Sequence, residues 1–282
     1  MVKLRTLSYL VLAVLALTSI GCPLLNGDGG ATYTLTMEEP TGHGTVTPSP
    51  GAHPYSAAAS ATLTAEPAPG WYFRHWEGNV EEKDEAQTEI YIDGNETVRA
   101  VFVSSSTVVL RPALDTAIAK SEQYEPHEFF WVEYWGEDAD LKTNGYLHFD
   151  VHYHLPELAA DIVVHSAKLR LLIHTTEIAT GSVGVFQVLE PWDEDTTWDQ
   201  RPVVSANPSD SLEFEEFFAE DEWLEWDVTD IVHLWMNQEA EDYGVRVGHV
   251  FPDDFFGFEF WSSRSPDAAQ HPQLVIRYSE IP

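Results

Sequence analysis

Apolar residues in this chain recur at every second position, in short runs that turn-forming residues keep interrupting. A period of two is what a strand with one face on a core requires, so the pattern confines the chain to an all-β architecture. Tyr33-Thr34-Leu35-Thr36-Met37 is the first run, followed by the Gly42-His43-Gly44 turn, Thr45-Val46-Thr47 and a loop from Pro48 to Pro54. Ala61-Thr62-Leu63-Thr64-Ala65 comes next, then the breaker Pro67-Ala68-Pro69-Gly70 and Trp71-Tyr72-Phe73. Glu89 to Ile92 and Thr97 to Val103 flank Asp93-Gly94-Asn95, a tripeptide that predicts a hairpin turn.

A longer segment from Thr107 to Tyr278 follows the same rule. Gly145 to Leu155 alternates throughout, which puts Leu147, Phe149, Val151, Tyr153 and Leu155 on one face of a predicted strand. Ala167–His174, Gly184–Leu189, Gly244–Val250, Glu259–Ser262 and Gln273–Tyr278 are further predicted strands. One helical period stands among them: Ile231, Val232 and Trp235 share a face over Val228–Met236, with Asp227 or Thr229 as the cap. Many short strands separated by turns predict a β-sandwich.

Length, charge and cysteine usage bound the rest. At 282 residues, 44% of them hydrophobic, the chain can bury a sizeable core. Its formal charge of −33 repels nucleic acid and anionic headgroups, leaving divalent cations, neutral glycans or plain solubility as what the surface suits. Lys3 and Arg5 precede an apolar stretch, Leu7 to Leu17, that is short for a membrane span. The single cysteine, Cys22, leaves no intrachain disulfide, so packing must stabilise the body. Ser19-Ile20-Gly21-Cys22 resembles a bacterial lipobox, which implies lipidation of Cys22; the alternative is an ordinary signal peptide cut nearby. The expected organisation is a leader and lipobox over 1–22, a tether over 23–31, a small β module over 32–103 and a sandwich over 104–282. The expected location is an exported protein held at the bacterial membrane by its lipid alone.

Four constellations carry candidate chemistry. In Pro191–Pro202, PWDEDTTWDQRP, Glu194 and Asp199 lie near Trp192 and Trp198, the residue types of a glycosidase. His148, Asp150, His152 and His154 are two apart and would share a strand face as metal ligands, although neighbours on that face stand about 7 Å apart, too far to share an ion unaided. Asp115, Asp227, Asp253 and Asp254 are candidate contributors to a structural Ca²⁺, on composition alone. Trp131, Tyr134 and Trp135 lie in predicted loops, where flat rings can stack on sugar faces; Phe129, Phe130, Phe255 and Phe256 are similar. Each has a plain alternative: an acidic solvated surface, a polar strand face, or a satellite core.

Two resemblances organise these observations. The Gly42/Gly44 turn, Leu63-Thr64-Ala65, Gly70-Trp71-Tyr72-Phe73, Trp76-Glu77-Gly78 and Asn95 to Phe102 together resemble the divergent InlB-type B-repeat of bacterial surface proteins. That likeness implies a spacer or adhesive stalk with Trp76 in its core. Further on, Asn144–Asp150, Ser166–Leu171, Trp192 with Thr197-Trp198 and Pro202, Trp226-Asp227-Val228-Thr229 with Trp235, Phe260–Ser263 and Pro272–Tyr278 resemble, in order, the DNRLRE domain. This family includes carbohydrate-binding module family 96 and is similar to jelly-roll β-sandwiches. The resemblance implies an all-β chain with a small B-repeat module ahead of a jelly-roll-like sandwich. It also implies non-catalytic binding of polysaccharide, and it makes Thr197-Trp198 a corner that packs Trp198 inward.

One departure bears on the ligand. Glu122 to Asp140 carries seven acids and no base where alginate-binding members are expected to be basic, and Gly145 replaces the arginine of the motif. A neutral glycan is therefore favoured over alginate. A structural or adhesive protein with a cell-surface protein partner is the second reading, and a metal-dependent or glycosidic enzyme the third.

Overall fold

The computed structural model describes residues 32–56, 58–120, 127–136, 142–155, 162–214, 221–252 and 254–280. Cys22, Asp253 and much of the acidic run lie outside these residues. The chain divides into two compact units between Ser104 and Ser105.

The first unit contains β1 (Thr32–Met37), β2 (Gly44–Thr47), β3 (Gly51–Ser56), β4 (Ala59–Pro67), β5 (Trp71–Glu77), β6 (Gln87–Ile92) and β7 (Glu96–Ser104). They form two sheets, ordered β3-β1-β7-β5 and β2-β4-β6. Leu35, Leu63, Ile90 and Val98 are fully buried between them, and so is Trp76, whose indole N–H donates to the Glu85 carbonyl at 3.0 Å. The G-x-G turn is dictated by contact: a Cβ on Gly42 (φ 80°) would sit 2.3 Å from the Phe102 carbonyl, and one on Gly44 2.5 Å from the Phe102 ring.

The hairpin expected at Asp93-Gly94-Asn95 does not form. β6 pairs with β4 in one sheet while β7 pairs with β1 and β5 in the other, so the turn is a corner between sheets. Ile90 and Ile92 of β6, and Val98, Ala100 and Phe102 of β7, therefore reach the same core from opposite layers. The Asn95 amide oxygen accepts from the Thr34 N–H at 2.9 Å, which ties the corner to β1.

The second unit contains β8 (Ser106–Leu110), β9 (Leu114–Ala119), β10 (Phe129–Trp135), β11 (Lys142–His148) and the single turn α1 (Val151–His154). After these come β12 (Ile162–Gln187), β13 (Asp210–Phe214), β14 (Trp223–Asp227), α2 (Thr229–Met236), β15 (Val245–His249), β16 (Phe255–Trp261) and β17 (Gln273–Glu280). The predicted strands Ala167–His174 and Gly184–Leu189 are parts of one, the 26-residue β12. Its first half pairs with β17 and β14, its middle with β16, and its end with β13 and β15. Register shifts between Ile173 and Thr175, and between Thr176 and Ala179, let it bend from one layer into the next. Leu169, Leu171, Val183 and Val185 of β12 meet Phe256, Phe258 and Phe260 of β16, Val132 of β10 and the buried face of α2 in one core. Trp226 sits fully buried there and donates to the Val183 carbonyl at 3.0 Å. The predicted helix is α2, its Thr229 N–H received by Asp227 at 3.0 Å.

The strand expected over Gly145–Leu155 ends at His148. Asp150 turns left-handed (φ 49°) and Val151–His154 is helical, begun by the Val151 N–H donating to Asp242 at 3.0 Å. Val151 and Leu155 are both buried, a spacing that a helical turn satisfies as well as a strand does. Tyr153 alone separates the two, and it is 74% exposed.

Asp254 fixes the end of β12. Its carboxylate is buried and accepts from the Ser182, Val250 and Phe251 N–H groups at 2.9, 2.9 and 2.6 Å. Gly181, at φ 132°, lies against it, with room for no Cβ: Asp254 Oδ1 would be 2.5 Å away. We expect Asp254→Ala to strand the Ser182 and Phe251 N–H groups, Val250 keeping the Ser182 carbonyl, and to lower unfolding stability by about 2–4 kcal/mol, and Gly181→Ala to cost about 1–3 kcal/mol. Chemical denaturation followed by tryptophan fluorescence checks both.

Candidate functional site

Trp131 and Trp135 stand on β10 rather than on a loop. The run FFWVEYW alternates strictly: Phe130, Val132 and Tyr134 are buried, while Phe129, Trp131, Glu133 and Trp135 are half-buried on the opposite side. β16 lies beside it in antiparallel register, so Phe129 faces Trp261, Trp131 faces Glu259, Glu133 faces Gly257 and Trp135 faces Phe255. Residues directly opposite share a face. The result is an outer face of aromatic rings with two carboxylates among them, and Phe255 at its end is 39% exposed.

The rings on this face are held in place. Glu133 accepts from the Trp135 indole at 3.0 Å and from the Thr143 hydroxyl at 2.9 Å. Trp135 meets Phe255 edge to face at 4.5 Å. His174 stacks on Phe129 at 5.3 Å, lies 4.3 Å from Trp261 and approaches Glu259 at 3.6 Å. Glu259 is 5% exposed, so what this face can offer a sugar is mainly rings for its C–H surfaces, with Glu133 between them.

Tyr134 does not belong to this face. It is 3% exposed on the core side, where it stacks on His249 at 3.8 Å with Lys142 5.0 Å above its ring. The alternation of FFWVEYW was the signal for this; the surrounding acids obscured it.

The imidazole stripe does not assemble either. His148 ends β11 and lies 3.6 Å from Asp242, Asp150 turns the chain, and His152 and His154 ride the turn of α1. Among the described residues no three His, Cys, Asp or Glu side chains group as metal ligands. The candidate Ca²⁺ ligands are likewise separately occupied. Asp254 receives three backbone N–H groups, Asp227 receives Thr229, and fully buried Asp115 receives Ser263 and pairs with Arg264 at 3.3 Å. Burial raises the Asp115 carboxyl, against the Ser263 bonds and the Arg264 charge that lower it.

The acids of Pro191–Pro202 are also engaged. Glu194 pairs with Arg264, the same guanidinium that holds Asp115, and Asp193 accepts from Thr196 at 3.0 Å. Asp199 lies exposed on a 3-10 turn, Trp198–Gln200. The tryptophans do pack inward: Trp192 and Trp198 lie against Ile118, Tyr146 and Val188, and Trp192 donates to the Tyr243 carbonyl at 2.7 Å.

Sequence reasoning missed the groups under this loop. Arg246 lies opposite Tyr146, with its guanidinium 4.0 Å from the Phe186 ring, and Arg201 covers Trp198 at 4.4 Å. These residues come from four separate segments, and no motif joins them.

His249, behind Arg246, gives a pH dependence. Burial, with the charges of Arg246 and Lys142, lowers its pKa from 6.5 to about 4. The unfolded chain therefore binds the extra proton first as pH falls. Stability from this group is full above pH 6.5 and declines toward pH 4. His249→Phe, which keeps a ring on Tyr134, should show a shallower fall in melting temperature over that window by calorimetry.

A search of curated proteins finds no match to the chain. Two family models match it: the divergent InlB B-repeat domain over residues 33–106 and carbohydrate-binding module family 96 over residues 107–278. The second covers more than half the sequence and takes in both tryptophans of β10, the Pro191–Pro202 corner and all of β12. The chain belongs to carbohydrate-binding module family 96.

Proposed function

We propose that this protein is a bacterial surface lipoprotein whose second unit binds polysaccharide without cleaving it, through the outer face of β10 and β16. One observation carries the reading: Trp131 and Trp135 leave one strand on the side away from the core, with Glu133 fixed between them by Trp135 and Thr143. Four residues along a strand span about 13 Å, a platform for several sugar units rather than one. Stacking on Trp135 costs little side-chain entropy, because Glu133 and Phe255 already brace that ring. Glu133, half-buried among the rings, would repel a uronate at this face, so a neutral glycan suits it best. Glu194, one of the two candidate acids of the Pro191–Pro202 loop, is tied up by Arg264, which favours binding over hydrolysis.

The B-repeat unit then serves as spacer or adhesive stalk, consistent with the surface proteins in which such repeats occur. Lipidation of Cys22 provides the membrane attachment; no helix of the described residues is long and apolar enough to cross a bilayer. A Cys22→Ser protein should move from the detergent phase to the aqueous phase on Triton X-114 partitioning.

Affinity electrophoresis against a panel of neutral and acidic polysaccharides, with and without EDTA, tests the binding reading. Trp131→Ala and Trp135→Ala should each weaken retardation about tenfold, as loss of an aromatic anchor does. Tyr153→Ala, exposed on α1, should leave it unchanged. If no polysaccharide retards the protein under any ionic condition, the binding reading fails, and an adhesive surface protein with a protein partner replaces it.

A further inference from the structure

We infer that Asn95, at the corner between β6 and β7, is the acceptor of an N-linked oligosaccharide added during export. The inference rests on the export reading given above and is independent of the β10–β16 face.

The chain carries six asparagines, at 26, 79, 95, 144, 207 and 237, and only those at 95 and 207 stand two residues before a serine or threonine. Asn207-Pro208-Ser209 is barred by its proline. The middle residue must let the hydroxyl fold back toward the asparagine amide, and a locked φ without an N–H prevents that. Asn95-Glu96-Thr97 remains as the usable triplet. Asp93 stands two positions before it, and an acid there completes the Asp-Gly-Asn-Glu-Thr type of acceptor that bacterial oligosaccharyltransferases favour.

The fold keeps this motif open. β6 ends at Ile92 and β7 begins at Glu96, so Asn95 lies in the turn that carries the chain from one sheet to the other. Surface turns of exported proteins are where such acceptors stand. Asp93, Asn95 and Thr97 are all exposed, although Ile92 and Val98 on either side are fully buried. The two polar atoms of the Asn95 side chain differ. Its Oδ1 accepts from the Thr34 N–H at 2.9 Å, which fixes the side chain, whereas among the described residues no protein group accepts from Nδ2.

A structural turn would explain only part of this. The Thr34 bond requires an oxygen at position 95, which aspartate would supply as well as asparagine does. It leaves the amide nitrogen, the acid and the hydroxyl unexplained. Turn aspartates ordinarily spend their carboxylates on nearby backbone N–H groups, as Asp227 does for Thr229. Among the described residues neither the Asp93 carboxylate nor the Thr97 hydroxyl has a protein partner.

Transfer balances on these atoms. Nδ2 attacks C1 of the first sugar of a lipid-diphosphate-linked oligosaccharide. The C1–N bond forms as the C1–O bond breaks, and the lipid diphosphate leaves with the electron pair. Nδ2 gives one of its two protons to the transferase, and nothing is oxidised or reduced. The product amide keeps Oδ1 as an acceptor, so the tie to Thr34 survives and the folded corner tolerates the sugar.

The test expresses the full chain in a bacterium holding a single-subunit oligosaccharyltransferase and its lipid-linked oligosaccharide. One version carries the chain's own leader, and a second carries an established export leader in place of the residues before Pro23. Mass spectrometry of the exported fraction reads the tryptic peptide 84–99, which contains the whole motif. With either leader that peptide should gain the mass of one oligosaccharide. Asn95→Asp, which keeps the oxygen that Thr34 needs, should abolish the gain without a fall in melting temperature. Thr97→Val should abolish it too, and Asp93→Asn should remove most of it. Modification under the established leader alone supports the inference and overturns export by the chain's own leader. An unmodified peptide under both leaders overturns the inference, as does a glycan that survives Asn95→Asp or Thr97→Val.

Discussion

A buried carboxylate at the end of one long strand holds the second unit together. β12 begins in the layer with β17 and β14 and ends in the layer with β13 and β15, so both layers depend on where it bends. Asp254 gathers the N–H groups of Ser182, Val250 and Phe251 at the far side of that bend, and Gly181 yields the space for it. A buried charge is tolerable there because three donors replace its water. Trp226 then reaches across to the Val183 carbonyl, locking the core side of the strand one residue beyond Ser182.

The bend also orders the candidate binding face. The middle of β12 carries β16, which in turn carries β10 and its outward aromatics. The end of β12 carries β15 and places Phe186 beside Arg246. Glu133 stands among the rings of the β10–β16 face. Arg264 holds Asp115 and engages Glu194.

Much of this was legible in sequence, and the failures share a cause. Period-two alternation located most strands, because core burial on one face leaves that trace regardless of partner. But β3 falls in the stretch read as a loop over Pro48 to Pro54, β10 in another, and β13 and β14 were not expected. Trp76 and Trp198 are packing residues as the resemblances implied, and Trp192 packs beside Trp198. Alternation does not say which strand lies beside which, so Asp93-Gly94-Asn95 passed for a hairpin when it is a corner between sheets. Nor does it separate a strand from one helical turn when the buried residues are four apart, as Val151 and Leu155 are. The imidazole stripe failed with that strand. Tyr134, expected in a loop, is on the core side of a strand, as the alternation of FFWVEYW requires.

The sequence alone determined the all-β class, the two-module order and the family, since these rest on local period and on motifs read along the chain. Tertiary structure decided which aromatics face outward, which acids are already engaged, and that Arg246, Tyr146 and Thr116 come into one row. The physical reason is that a strand's hydrogen-bond partners and register are set by long-range pairing. Burial of a charge depends on what the neighbouring strands and loops bring to it. No local pattern encodes that juxtaposition.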